Sequence, residues 1–176
     1  MIPFTIAQIA DIVGGRLDNV PDPDARVTGS VEFDSRKVSP GGLFLALPGA
    51  KVDGHDFAHK AHEAGAVVTL AARPVGTPAI IVPMLPQMNE TESHDTDTDN
   101  AAGSQAYVFA HDEDGSVRAL LAALAALARA VVTELTKHGA LTVVGVTGSA
   151  GKTSTKDMLA AILSTAGPPL APPGPL

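Results

Sequence analysis

The residues best suited to chemistry lie between Leu141 and Leu163, where an apolar, β-branched run leads through Gly148-Ser149-Ala150-Gly151-Lys152-Thr153 into a segment with helical spacing of Met158, Leu159, Ile162 and Leu163. Glycines let a backbone curl so that successive N–H groups point inward, where they and a helix N-terminus meet a polyanion. Lys152 adds a mobile positive charge for the β- and γ-phosphates of a nucleotide, and the Thr153 hydroxyl is a ligand for Mg²⁺. The glycine six places before Gly151 is Gly145, which falls in the strand, so the spacing differs from the general phosphate-loop pattern. A second polar group, Asp34-Ser35-Arg36, follows a strand-like run, and α/β folds place ligands at such strand ends. Its bland alternative is an ordinary strand-end turn.

Two further groups carry less. His55, His59 and His62 share helical spacings of four and three, as a metal site on one helix face requires. Lys60 and Glu63 interrupt them and no carboxylate completes the set, so no metal is expected there. Asp95, Asp97 and Asp99 imitate the start of a calcium loop, but Asn100 stands where glycine is needed and Ala106 where glutamate is needed.

Composition bounds the rest. With hydrophobic residues at 45% and aromatics at 3%, the core must be built from Ala, Val, Leu and Ile. The absence of cysteine excludes disulfides, zinc–thiolate sites and a cysteine nucleophile. A net charge of −7 without any Lys/Arg cluster argues against a nucleic-acid surface. The N-terminus lacks a basic leader, and the charge-free apolar segment Ala119 to Ala128 is too short to span a bilayer, so a soluble, cytoplasmic monomer is the expectation.

The elements that must position the chemistry follow from pattern. Thr5 and Gln8 form a capping box for a helix whose face is Ile6, Ile9, Ala10 and Val13, with Phe4 stapled to Ile9 and Gly14-Gly15 as its end. Val27, Gly29, Val31 and Phe33 alternate with polar residues as one half-buried strand would. Pro40-Gly41-Gly42 turns the chain into a strand at Leu43 to Leu47. A helix over His55 to Ala64 then precedes strands at Ala66 to Leu70 and Ala79 to Val82. Residues 84–105 are polar and acidic and predict a disordered insertion. Tyr107 to Ala110 suits a short strand, and Ser116 is the expected cap of a long helix with Leu120, Leu124, Leu127, Val131 and Leu135 as its buried stripe, stopped at Gly139. The proline-rich end after Ala166 continues neither helix nor central strand, and one strand-loop-helix unit cannot cover a parallel sheet, so a truncated second domain is expected.

With these motifs placed, FDSRKVSPGGLFLALPGAKVDGHDFAHKAHEAGA (33–66) and VVGVTGSAGKTSTKDML (143–159) resemble the Mur ligases of bacterial cell-wall synthesis. The Thr-Gly-Ser-x-Gly-Lys-Thr form also accounts for the glycine spacing. The resemblance implies an α/β fold: a UDP-substrate-binding domain over 1–138, then the first strand, phosphate loop and helix of an ATPase domain over 139–176. By the same resemblance Phe33, Ser35, Arg36, Ala50, Lys51 and Val52 hold the UDP-sugar end of the substrate. Gly148, Ser149, Ala150, Gly151, Lys152, Thr153 and Ser154 hold ATP, with Lys152 catalytic and Thr153 a ligand of Mg²⁺. Ala150 stands where the family usually has Ser or Asn, a change that a backbone N–H cradle accepts. The implied chemistry is phosphorylation of the peptide carboxylate of UDP-N-acetylmuramoyl-tripeptide by ATP and attack by the amine of D-alanyl-D-alanine. The family's acidic metal ligands and its domain for the incoming amine come later in sequence, so this stretch alone is expected to be inactive. The alternatives are a ligase adding the third residue of the peptide and a noncatalytic nucleotide-binding remnant.

Overall fold

The computed structural model describes residues 4–49, 52–84, 112, 114–137, 142–148, 150–165 and 167. The calcium-like aspartates, the strand expected at Tyr107 to Ala110 and the Gly139 stop lie outside the described residues, as does the acidic segment after Met84. The chain forms two compact units, Met1–His138 and Gly139–Leu176.

In the first unit the elements run β1 (Phe4–Thr5), α1 (Ile6–Val13), β2 (Arg16–Asp18), β3 (Arg26–Val27), β4 (Val31–Glu32) and β5 (Gly42–Leu45). A 3₁₀ turn (Gly54–Phe57), α2 (Ala58–Glu63), β6 (Ala66–Ala71), β7 (Ala79–Ile81) and α3 (Ser116–Lys137) complete it. The main sheet has the order β2-β7-β6-β5-β4, parallel except for β2, which runs antiparallel beside β7. Alternation along the inner strands sends side chains to two cores. Leu43, Leu45, Val68, Leu70 and Ile80 pack with α1 and the start of α3. Phe44, Ala46, Ala71, Ala79 and Ile81 pack on the other face with Ala61 of α2. Both faces are therefore apolar, which is why these strands read as nearly continuous hydrophobic runs.

The start of the chain folds as its pattern requires. The Gln8 N–H donates to Thr5 Oγ1 at 3.2 Å and the Thr5 N–H to Gln8 Oε1 at 2.9 Å, completing the capping box. Ile6, Ile9, Ala10 and Val13 are the buried face, and Gly14 closes the helix in the left-handed region at φ 64°.

The single strand expected from Val27 to Phe33 is instead two, because Gly29 presses against another backbone. A Cβ on Gly29 would lie 2.6 Å from the Gly42 nitrogen, and the N–H groups of Thr28 and Gly29 both donate to the Gly41 carbonyl. On one side of this crossing β3 pairs with β1, and on the other β4 pairs with β5. Phe33 leaves the sheet altogether and is 73% exposed, since the Asp34 turn begins there.

The long helix is capped from further back than Ser116. Buried Asp112 accepts the N–H groups of Val117 at 2.8 Å and Arg118 at 3.0 Å. The expected stripe holds only in part: Leu120 and Leu127 are buried, whereas Leu124, Val131 and Leu135 are half-buried. By length and composition α3 is apolar enough to cross a membrane, but Val117, Ala119, Leu120, Ala123 and Leu127 lie in the core of this unit.

The second unit contains α4 (Lys152–Leu163). The strand expected before it is not formed among the described residues: 142–148 have no partner strand, and Val143 and Val144 are 64% and 58% exposed. A strand's ladder of backbone hydrogen bonds needs a neighbouring strand, and this exposed run has none among the described residues. The helix likewise buries none of its residues.

Candidate functional site

Polar residues gather where β4 and β5 end. The turn after β4 supplies Phe33, Asp34, Ser35 and Arg36, and the exit of β5 supplies Leu47, Pro48 and Gly49, all facing one cavity of about 560 Å³. That volume suits a small organic ligand. Four residues expected from sequence, Phe33, Ser35, Arg36 and Val52, line it together, while Ala50 and Lys51 lie outside the described residues. Asp34 builds the turn by accepting the Arg36 N–H at 3.1 Å, and it grips the Arg36 guanidinium through Nε and Nη2, both at 2.9 Å. The guanidinium holds the Asp34 carboxyl down at about 2, and the carboxylate in turn raises Arg36. Both groups therefore stay charged at neutral pH, and the remaining N–H groups of the Arg36 fork can meet an anion.

The opposite wall holds residues that pattern reading missed. Phe57 and Lys60 line the cavity, with Lys60 Nζ 5.5 Å from the Phe57 ring centroid, a cation–π approach. Their i, i+3 spacing was the available signal, since it puts both on one helical face. An exposed aromatic at the lip and two cations thus converge on a cavity at the carboxyl ends of parallel strands.

The second unit presents a separate anion-binding geometry. Gly148 and Gly151 adopt φ of 147° and 76°, which favour glycine, and Lys152 Nζ donates to the Gly148 carbonyl at 2.6 Å. The Thr155 N–H donates to the Gly151 carbonyl at 2.9 Å, so the N–H groups of Lys152, Thr153 and Ser154 open the helix without intrahelical acceptors. No side chain among the described residues caps them. Backbone donors, a helix N-terminus and a lysine are groups that can meet an anion. Ser149 lies outside the described residues.

The profile of the Mur ligase family, catalytic domain, matches residues 28–165, most of the chain and both of these regions. This chain belongs to the Mur ligase family. Among Mur ligases it is 55% identical, over 99% of its length, to UDP-N-acetylmuramoyl-tripeptide--D-alanyl-D-alanine ligase of Mycobacterium tuberculosis (strain ATCC 25618 / H37Rv). It is 34% identical, over 82% of its length and 22% of the relative, to UDP-N-acetylmuramoyl-L-alanyl-D-glutamate--2,6-diaminopimelate ligase of Syntrophomonas wolfei. A solved Acinetobacter baumannii UDP-N-acetylmuramoylalanyl-D-glutamyl-2,6-diaminopimelate--D-alanyl-D-alanyl ligase shares the fold, with TM-score 0.58 and 24% identity over 93% of this chain and 28% of that one. The chain spans 32% of the mycobacterial ligase.

The three histidines of this Mur ligase chain do not converge. His55 is buried in the 3₁₀ turn, His59 is exposed on α2, and His62 Nδ1 lies 3.0 Å from the Ala66 carbonyl oxygen. No cluster of three potential metal ligands occurs among the described residues.

Beside the cavity, Asp53 joins His55 and Arg73. Burial by itself raises the Asp53 carboxyl, but hydrogen bonds from the His55 N–H, Arg73 and the His55 ring outweigh it and bring it to about 2 from an ordinary 3.8. The folded state therefore binds this proton less readily than the unfolded state. Its stabilising contribution is complete above 3.8 and is lost as pH falls through about 2. The melting-temperature advantage of the parent chain over Asp53→Asn is expected to be full at about pH 5 and to shrink steadily on acidification through that window. Thermal melts at a series of pH values check this, and a constant difference would dissociate Asp53 from the acid limb.

Proposed function

We propose that this chain supplies the uridine-nucleotide-binding part, and the start of the ATP-binding part, of a ligase that joins D-alanyl-D-alanine to UDP-N-acetylmuramoyl-tripeptide in the cytoplasm. The observation that carries this reading is the cavity at the ends of β4 and β5, where Phe33, Arg36 and Lys60 meet. A uracil ring has a face to stack on Phe33, and a diphosphate has charge for Arg36 and Lys60. Ser35 and Val52 line the same cavity, and Ala50 and Lys51 are assigned to the UDP-sugar end of the substrate in this reading. The dipeptide-adding activity is favoured over addition of the third residue because similarity to the former ligase is higher and covers more of the chain.

In the second unit, Gly148, Ser149, Ala150, Gly151, Thr153 and Ser154 would hold the phosphates of ATP through backbone N–H groups, with Lys152 as the mobile charge and Thr153 toward Mg²⁺. ATP supplies the phosphoryl group that activates a carboxylate. The chain's own part is to orient the polyphosphate and offset its charge while Lys152 exchanges the Gly148 carbonyl for a phosphate oxygen.

Calorimetry with UDP-N-acetylmuramoyl-tripeptide tests the first site. Phe33→Ala is expected to weaken binding about tenfold, about 1.4 kcal/mol. Because Phe33 is 73% exposed, the melting temperature should stay unchanged. Undiminished affinity in Phe33→Ala and Arg36→Ala together would remove the nucleotide from this cavity. For the second site, Lys152→Ala is expected to weaken Mg²⁺-ATP binding by about tenfold or more, since only backbone dipoles and metal then offset the triphosphate. Equal ATP affinity of the two proteins would defeat that assignment.

A further inference from the structure

We propose that His55 is a positioning residue for the nucleotide cavity, tying the wall of Pro48, Gly49, Val52 and Gly54 to the carboxyl end of β6 through its two ring nitrogens. This rests on reading the cavity as a uridine-nucleotide site. His55 is 5% exposed and is not among the residues lining the cavity, so whatever it does there it does through a neighbour. On one side of the ring, Nε2 accepts the Ala72 N–H at 3.1 Å, just beyond the end of β6. A backbone N–H facing Nε2 requires a lone pair there, which leaves the proton of the neutral ring on Nδ1. On the other side Nδ1 lies 2.6 Å from Asp53 Oδ1 and donates to it. The same carboxylate oxygen accepts the His55 N–H at 2.9 Å, and Asp53 Oδ2 accepts from Arg73 Nη2 at 2.6 Å.

Asp53 is thus fixed from β6 twice, through the His55 ring and through Arg73. It passes that constraint to the cavity because it forms a β-bridge with Pro48, while the N–H groups of Gly49 and Gly54 donate to Val52 at 2.9 Å and Leu47 at 3.2 Å. Pro48, Gly49, Val52 and Gly54 are the cavity wall. The donor half of the ring is therefore the half that orients the wall, and the acceptor half anchors it.

Two isosteric substitutions separate these halves. Asparagine keeps an N–H donor near the Nδ1 position for Asp53 and abandons Ala72, whereas glutamine reaches the Nε2 position for Ala72 and abandons Asp53. In calorimetry of the 176-residue chain with UDP-N-acetylmuramoyl-tripeptide, well below the melting temperatures, His55→Gln is expected to weaken binding about tenfold and His55→Asn by less than about threefold. Equal affinities in the two variants, with Phe33→Ala still impaired, would overturn the positioning role and leave the cavity reading intact. Absence of binding by the parent chain would remove both. A measurement on the unsubstituted chain guards against misfolding: ¹⁵N-resolved NMR should show His55 protonated at Nδ1, and UDP should shift that ring signal together with Gly54. A UDP titration that moves Phe33 and Gly54 while the His55 ring signal stays still would also overturn the proposal.

Discussion

Replacing Gly54 with alanine is expected to lower both the melting temperature and the affinity for UDP-N-acetylmuramoyl-tripeptide. A Cβ at this position would lie 2.4 Å from the Leu47 carbonyl oxygen, 2.6 Å from the Leu47 nitrogen and 2.8 Å from the Ala46 carbonyl carbon. All three are backbone atoms at the exit of β5, so no side-chain rotation relieves the clash. The Leu47 carbonyl must withdraw, which breaks the bond it accepts from the Gly54 N–H and moves the Pro48–Asp53 bridge. Overpacking of this kind costs about 1–3 kcal/mol, which for a unit of this size corresponds to roughly 3–10 °C in melting temperature. Because the displaced backbone is the cavity wall, binding should fall by about tenfold or more. Thermal melts and calorimetry read the two effects, and parental values in both would show that the wall tolerates a methyl group.

Asp112→Ala is expected to be the most destabilising of the polar substitutions, at about 3 kcal/mol or more. The Asp112 side chain has no exposed surface and accepts three bonds: the N–H groups of Val117 and Arg118, and Arg118 Nε at 3.2 Å. Alanine leaves those helix-opening N–H groups without acceptors, at the end of α3 whose Val117, Leu120 and Leu127 build the core. Asparagine keeps one acceptor oxygen and should lose about half as much. Ser116→Ala should cost less than Asp112→Ala, because Ser116 leans on Asp114 instead of capping the next turn itself. Urea denaturation of the three variants gives the order, and equal losses at Ser116 and Asp112 would restore the serine as the principal cap.

Features whose causes lie within a few residues were legible before any fold was known. The capping box of Thr5 and Gln8 and the glycine end of α1 arise from contacts no more than five residues apart, and the face of α1 follows the helical period, so local pattern sufficed to place them. The inner strands announced themselves through apolar runs, and the Gly151–Lys152 helix start through residue type alone. Tertiary structure decided what depends on distant chain. Gly29 meets Gly42, which splits one expected strand into two and frees Phe33 from the sheet to stand at the cavity lip. Arg73 reaches Asp53 across twenty residues, and Ala72 reaches His55 across seventeen, pairings that no period in the sequence encodes. The run around Val143 and Val144 shows the converse limit: its β-branched residues specify a strand, but the backbone hydrogen bonds of a strand belong to its neighbour, and the described residues of the second unit contain none. Sequence by itself thus determined which segments are helical and which are extended, because those preferences are local; only tertiary structure decided which side chains share a cavity, because that depends on which distant backbones can approach closely enough to bond.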